Sequence, residues 1–151
     1  MNEVAVQAAD FDVGAEISAL TAADPAAGAV ASFVGLVRGG EVAAMTLEHY
    51  PGMTEAALAD IVTTAKKRWK LRTVRVIHRV GRLLPGERIV FVGVASAHRG
   101  DAFAACEFIM DYLKTRAPFW KKEETAAGER WVDARETDNL AARRWRDGEE
   151  D

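Results

Sequence analysis

The sequence has little of what marks several broad classes of protein. Cys106 is its only cysteine, which excludes an internal disulfide and any all-cysteine metal site. A single thiol fits a reducing cytoplasm. The longest stretch without Asp, Glu, Lys or Arg covers 13 residues, 25–37, too few to span a bilayer. Met1-Asn2-Glu3-Val4 lacks the basic start and apolar run of a secretory signal. No fixed-period repeat and no Ser/Gly linker divides the chain. Positive charge is not in excess: 20 Lys+Arg stand against 23 Asp+Glu, a net charge of −3. Bulk electrostatics therefore do not announce nucleic acid as a partner.

What is present describes a globular domain. The chain has 151 residues, 49% hydrophobic and 28% charged, enough to bury a core. We read one domain over residues 1–146 and an acidic, frayed tail over 147–151. Charge is unevenly spread. Residues 66–88 carry nine Lys or Arg and a single acid, Glu87. That stretch is either a solvated face or the contact surface of a nucleic-acid-binding module.

Hydrophobic patterning supplies the elements. Residues 4–7 read as a short strand and 14–22 as a short helix. The apolar, Val- and Phe-rich run 28–37 reads as a buried strand ending at the turn signal Arg38-Gly39-Gly40. Residues 43–50 return as a second strand, so the two should form a hairpin, broken by Pro51-Gly52. Thr54 is placed to cap a helix in which Leu58, Ile61, Val62, Ala65 and Trp69 recur at helical spacing. Residues 73–80 alternate as a strand, with Val74, Val76 and His78 on one face. Residues 89–97 are apolar throughout, as for a central strand buried on both faces. A helix follows His98-Arg99-Gly100-Asp101, with Ala102, Ala105, Cys106, Ile109, Met110 and Leu113 as its apolar stripe, and Pro118 ends it. Residues 117–125 read as a loop or irregular extended piece, 130–134 as a last strand and 138–146 as a short helix. Strands and helices in this order give an α+β fold: a mixed or antiparallel sheet with two main packed helices.

Few residues invite chemistry. Cys106 lies within an apolar helix stripe, where burial makes a thiol inert. His49, His78 and His98 lack metal-ligand spacing, and His78 reads as a packed or edge residue. His98-Arg99 stands where a buried strand meets a helix N-terminus. That is an anion site if Arg99 turns inward, and an ordinary capped helix if Asp101 caps it. Lys114, Arg116, Lys121 and Lys122 put four cations in nine residues around Ala117-Pro118-Phe119-Trp120. Packed aromatics would aim Lys121, and a lysine beside other cations can act as nucleophile or proton carrier; aromatics among cations could equally stack bases. Arg38 ends the first buried strand, three residues after Gly35.

Taken together, these residues resemble one family. The pieces are Phe33-Val34-Gly35-x-x-Arg38, Leu47-Glu48-His49-Tyr50-Pro51-Gly52-Met53, Ala97-His98-Arg99, and Tyr112-Leu113-Lys114-Thr115-Arg116-Ala117-Pro118-Phe119-Trp120-Lys121-Lys122-Glu123. They are similar to the large, catalytic subunit of molybdopterin synthase over residues 28–144. The resemblance implies a hammerhead-like β arrangement and sulfur transfer to cyclic pyranopterin monophosphate, forming the dithiolene of molybdopterin. It implies a small ubiquitin-like partner whose C-terminal Gly-Gly thiocarboxylate brings the sulfur. It further implies a homodimer of this chain within a heterotetramer, no permanently bound cofactor, no metal, and neither nucleic acid nor membrane as partner. Carried over by position, Lys114 and Lys121 match the reaction-centre lysines. Leu36, Val37, Arg38, His98, Arg99, Lys122, Glu123 and Arg135 match substrate-binding positions. Two departures stand out: the turn after Arg38 is short, and Leu36 stands where some members carry lysine. The competing expectations are the nucleic-acid-binding module on residues 66–88 and a catalytically degenerate subunit of the same family.

Overall fold

A computed structural model describes residues 2–132 and 136–146. In chain order the elements are β1 (Val4–Gln7), α1 (Val13–Ala22), β2 (Ala29–Leu36), β3 (Val42–His49), α2 (Met53–Arg68) and β4 (Leu71–Arg79). There follow β5 (Gly81–Leu83), β6 (Arg88–Ser96), α3 (Arg99–Arg116), β7 (Phe119–Thr125), β8 (Gly128–Val132) and α4 (Glu136–Arg143). The strands form two four-stranded sheets, ordered β1-β4-β6-β2 and β5-β3-β7-β8. Among the described residues, only β1 and β4 pair in parallel. The architecture is the α+β one expected, with α2 and α3 as the main packed helices.

The apolar run in β6 explains the first sheet. Ile89 to Ser96 are all buried, because both faces of the strand are covered. Val90, Val92 and Val94 join Val74 and Val76 against α2 and α3, where Leu58, Ile61, Val62, Ala105, Phe108 and Ile109 complete the main core. Phe91 points the other way, onto Phe11, Leu20 and Ile77. This alternation is the period-two rule applied to a strand with a core on each side.

Three local expectations are corrected. β2 and β3 do not form a hairpin: β2 pairs with β6, and β3 pairs with β5 and β7. The Gly39-Gly40 segment, with Gly40 at φ 94°, carries the chain from one sheet to the other. Strand periodicity identifies strands but not their partners. Thr54 does not cap α2; Gly52 holds that position, and Glu55 reaches back to the Gly52 N–H at 3.4 Å. The Thr54 side chain is buried instead. Its hydroxyl accepts from the Tyr50 N–H at 2.9 Å and donates to the Pro118 carbonyl at 3.1 Å. Finally, residues 119–125 are a regular strand. β7 carries no apolar alternation because charge pairs across it hold it in place. Arg130 meets Glu123 at 3.0 Å, Arg82 meets Glu124 at 2.9 Å and Lys122 meets Glu129 at 3.5 Å. The last strand is β8; positions 133 and 134 of its expected range, like the tail 147–151, lie outside the described residues.

Two measurements check this packing. Gly28 donates its N–H to the Ser96 carbonyl at 2.9 Å, and a Cβ there would lie 2.3 Å from the Ala97 carbonyl oxygen. Gly28→Ala should therefore destabilise the chain by about 1–3 kcal/mol, read from its denaturant midpoint. Asp10 accepts from Arg88 at 2.8 and 3.1 Å and from the Phe11 N–H, and the Arg88 hydrogen bonds pull its pKa down to about 2. A lowered carboxylate pKa stabilises above the unfolded value and loses that effect as the pH falls to the folded one. Asp10→Asn should thus unfold earlier than the parent above about pH 4, and the difference should close by about pH 2.

Candidate active site

α3 ends at Arg116 because Pro118 cannot continue it, and the Thr54 hydroxyl fixes the Pro118 carbonyl where β7 begins. β7 then runs beside β3, with Lys121 opposite Leu47 and Glu123 opposite Met45. The last turn of α3 therefore faces one side of β7. Between them lies a cavity of about 100 Å³ lined by Lys114, Lys121, His78, Phe119, Leu47 and Asp138, among others. It adjoins a wider cleft of about 490 Å³. Ile89, Lys114, Lys121 and Asp138 line both. The cleft adds Leu36, Arg38, Glu41, Glu123 and Arg130. Its volume suits a small ligand, and its lysines and arginines suit an anionic one.

The sequence-derived residues divide into three groups. Lys114, Lys121, Leu36, Arg38 and Glu123 line this one region. Val37 and Lys122 do not. The Val37 side chain is buried in the core, and its backbone pairs with Glu87 and Gly86 at 2.9 Å each. Lys122 follows Lys121 on a strand, so it projects to the opposite face, where it meets Glu129 and lies over the Trp131 ring. His98 and Arg99 form the third group. They stand at the N-terminal end of α3, so Arg99 and Lys114 lie about 22 Å apart along the helix. Within one chain they cannot share a ligand of pterin size. His98, not Asp101, occupies the N-cap, without a side-chain capping bond. Arg135 lies outside the described residues.

Among the lining residues not singled out for the site from the sequence are Asp138, Glu41, Arg130 and His78. Arg130 lines the cleft and holds Glu123, which is mostly buried. His78 lines the inner cavity. It is buried, and its ring stacks on Phe119 with centroids 3.7 Å apart and planes 18° from parallel. Its Nδ1 lies 2.8 Å from the Arg79 carbonyl, which can only accept, so Nδ1 carries the proton. Burial holds the imidazole pKa down at about 4, and the charges of Lys114, His49 and Lys121 act in the same direction. The signal available in the sequence was the alternation of β4, which puts His78 on the face of Val74 and Val76.

The other expectations resolve on the same coordinates. Cys106 is buried, and desolvation pushes its thiol up to about 11, far from a thiolate at neutral pH. The basic stretch 66–88 is largely paired within the fold. Lys66 meets Glu3, Arg72 meets Asp24, Arg75 meets Glu16, Arg79 meets Glu87, Arg82 meets Glu124 and Arg88 meets Asp10. Arg68 packs among Trp69, Phe108 and Trp145 and donates to the Trp145 carbonyl at 2.8 Å. Cations committed to acidic partners do not form a phosphate-binding stripe, so the nucleic-acid reading loses its surface. Among the described residues, no helix is long and apolar enough to cross a membrane.

The chain is similar to known proteins. A family profile described as "MoaE protein" matches residues 6–116. The molybdopterin synthase catalytic subunit of Ralstonia nicotianae is 64% identical over 149 residues, covering 96% of this chain and 85% of that protein. A solved structure described as a molybdopterin biosynthesis MoaE protein from Burkholderia ambifaria superposes with a TM-score of 0.84 at 60% identity, covering 96% of this chain and 98% of that one. A molybdopterin synthase structure from Staphylococcus aureus has a TM-score of 0.77 at 28% identity, covering 86% of this chain and 95% of that one. With the profile spanning most of the chain and relatives this similar along nearly all of it, the chain belongs to the MoaE protein family.

Proposed function

We propose that this chain is the catalytic subunit of a molybdopterin synthase. It transfers sulfur from the C-terminal thiocarboxylate of a small ubiquitin-like subunit to cyclic pyranopterin monophosphate, forming the dithiolene of molybdopterin. The observation that carries the reading is Lys114 and Lys121 lining both a narrow inner cavity and the wider cleft beside it. A narrow cavity suits a threaded Gly-Gly tail, which has no side chains. The wider cleft suits the pterin, and the two lysines stand at the boundary where tail and substrate would meet. Their ammonium groups attract the thiocarboxylate and stabilise negative charge as the carbon–sulfur bond breaks. Either lysine can move the protons this exchange requires; as a neutral amine one could instead attack the tail's acyl carbon while it is joined through sulfur to the pterin, expelling the pterin-bound sulfur and forming an amide with loss of the amine's proton. Arg38, on the cleft wall, suits the substrate's anionic groups, while Arg130 beside it is held by Glu123. The only thiol of this chain is buried at Cys106, consistent with sulfur brought by a partner.

His98 and Arg99 enter the reading through a second copy of the chain. In a twofold dimer the N-terminal end of one α3 can reach the cleft of its mate, bringing backbone N–H groups and a guanidinium to the substrate phosphate. Phe103, one turn beyond Arg99, is 65% exposed, as suits an apolar contact in such an interface. Arg135 belongs to the same proposed set by position in the sequence alone.

Single-turnover assays with the thiocarboxylated small subunit test the reading. Product should require both proteins. Lys114→Ala and Lys121→Ala should each lower the rate by about a hundredfold or more with unchanged thermal unfolding; full activity in both would remove the site assignment, and in the parent an absence of product despite partner binding would indicate a degenerate subunit. The dimer is tested by mixing. Arg99→Ala and Lys121→Ala chains, each inactive alone, should recover roughly a quarter of parental activity when co-refolded, because mixed dimers keep one intact site. No recovery would place Arg99 and Lys121 in the same chain's site or outside it.

A further inference from the structure

Strand β7 carries two lysines followed by two acids, Lys121-Lys122-Glu123-Glu124. Alternation puts Lys121 and Glu123 on one face and Lys122 and Glu124 on the other, each pair about 7 Å apart along the strand. Side chains of that length and opposite charge can pair within their own strand. Here both acids turn across the sheet instead. Glu124 meets Arg82 of β5 at 2.9 Å. Glu123 Oε1 accepts twice from Arg130 of β8, from Nε at 3.2 Å and from Nη2 at 3.0 Å. The register makes that contact direct, because Arg130 stands opposite Glu123. Both residues line the cleft, as does Lys121. The Glu123 side chain is only 16% exposed, so its carboxylate cannot rely on water and needs a cation beside it. Arg130 supplies that cation with a fork of donors.

We propose that Arg130 is a positioning residue for the reaction: by holding the Glu123 carboxylate toward β8, it keeps Glu123 from pairing with Lys121 and leaves that ammonium to the incoming anion. The inference rests on the site reading above and deepens it. The thiocarboxylate and the substrate phosphate are both anions, and a carboxylate on the cleft wall competes with them for the same cations. Glu123 competes most directly, because it shares strand and face with Lys121. Arg130 is suited to withdraw it. A guanidinium stays charged at any working pH, and two donors on one oxygen fix the direction of the carboxylate. A second pair joins the same two strands on the opposite face, where Lys122 meets Glu129 at 3.5 Å. That pair also ties β7 to β8, but neither of its members lines the cavity or the cleft. It therefore separates a tether between strands from a task at the site.

Single-turnover assays of four variants, run well below thermal unfolding, test the proposal. Arg130→Met removes the fork, so Glu123 turns to Lys121 and the rate should fall roughly tenfold, the weight of one hydrogen bond to a charged group. Arg130→Lys keeps a cation in place and should retain most of the rate. Arg130→Met combined with Glu123→Gln removes the competitor as well and should recover most of the parental rate, because a neutral amide no longer draws the ammonium. Glu129→Gln breaks the pair on the opposite face and should leave the rate unchanged. If Arg130 served only to tie β8 to β7, the double variant would be no faster than Arg130→Met, and Glu129→Gln would cost as much. Either result overturns the proposal, as does a fully active Arg130→Met. A crystal structure of Arg130→Met gives a readout without turnover. Lys121 and Glu123 should lie within ion-pair distance there, and a carboxylate still apart from Lys121 rejects the assignment. Arg130 is 59% exposed, so the fold should survive its loss; if Arg130→Met does not fold, Arg130→Gln takes its place in both measurements. The lysine controls keep the two readings apart. An inactive Lys121→Ala beside a fully active Arg130→Met rejects this inference alone, whereas active Lys114→Ala and Lys121→Ala reject the site.

Discussion

Burial of strand β6 on both faces is the constraint on which the rest of the molecule depends. A strand that meets no water must pair its backbone on both sides and cover both sets of side chains. β4 and β2 supply the pairing, α2 and α3 cover the face of Val90, Val92 and Val94, and Phe11 with Leu20 covers Phe91. The strand also sets the site. Its Ile89 lines both the cavity and the cleft, and its end delivers the chain into α3. The position of Lys114 is thus fixed by a helix seated on this strand.

The second sheet is held differently. Its pairing partners carry charge where the first sheet carries valine, and it meets the first at the end of α3. One buried hydroxyl makes the junction. Thr54 bonds both the Tyr50 N–H after β3 and the Pro118 carbonyl before β7, joining the ends of two neighbouring strands to the start of α2. Lys121 stands three residues beyond that junction, close enough for the fixed turn to determine which way it points.

Legibility in the sequence followed the strength of local pattern. β1, β2, β6 and the three long-patterned helices could be read because hydrophobic period reports burial, and burial decides them. β7 was missed because Phe-Trp-Lys-Lys-Glu-Glu-Thr has no apolar alternation; its stability comes from Arg130, Arg82 and Glu129 across the sheet, which no local window contains. That single miss concealed another fact. Once β7 is a strand, Lys121 and Lys122 must face opposite ways, so the two neighbours cannot serve one cavity. The hairpin of β2 and β3 failed because partner choice is a property of the sheet, not the strand. His98 and Arg99 were legible as a helix start, but only the length of α3 separates them from Lys114. Thr54 was legible as a helix-start residue, while its bond to Pro118 spans too much sequence to be read there.

The register of β3 on β7 also governs when the site can exist. The hydrogen bonds of α3 are local, but Lys114 has its place only once that helix is seated on β6 and β6 has paired with β2. Lys121 gains its place only when β7 finds β3, with Leu47 opposite it, and that pairing closes a loop holding half the chain. Loop closure of that length precedes any reward from the contacts it permits, and folds dominated by such pairings fold slowly. The two lysines are near neighbours in sequence, yet each depends on a separate long-range pairing, β2 with β6 and β3 with β7. The cleft between them is complete only when both sheets have formed.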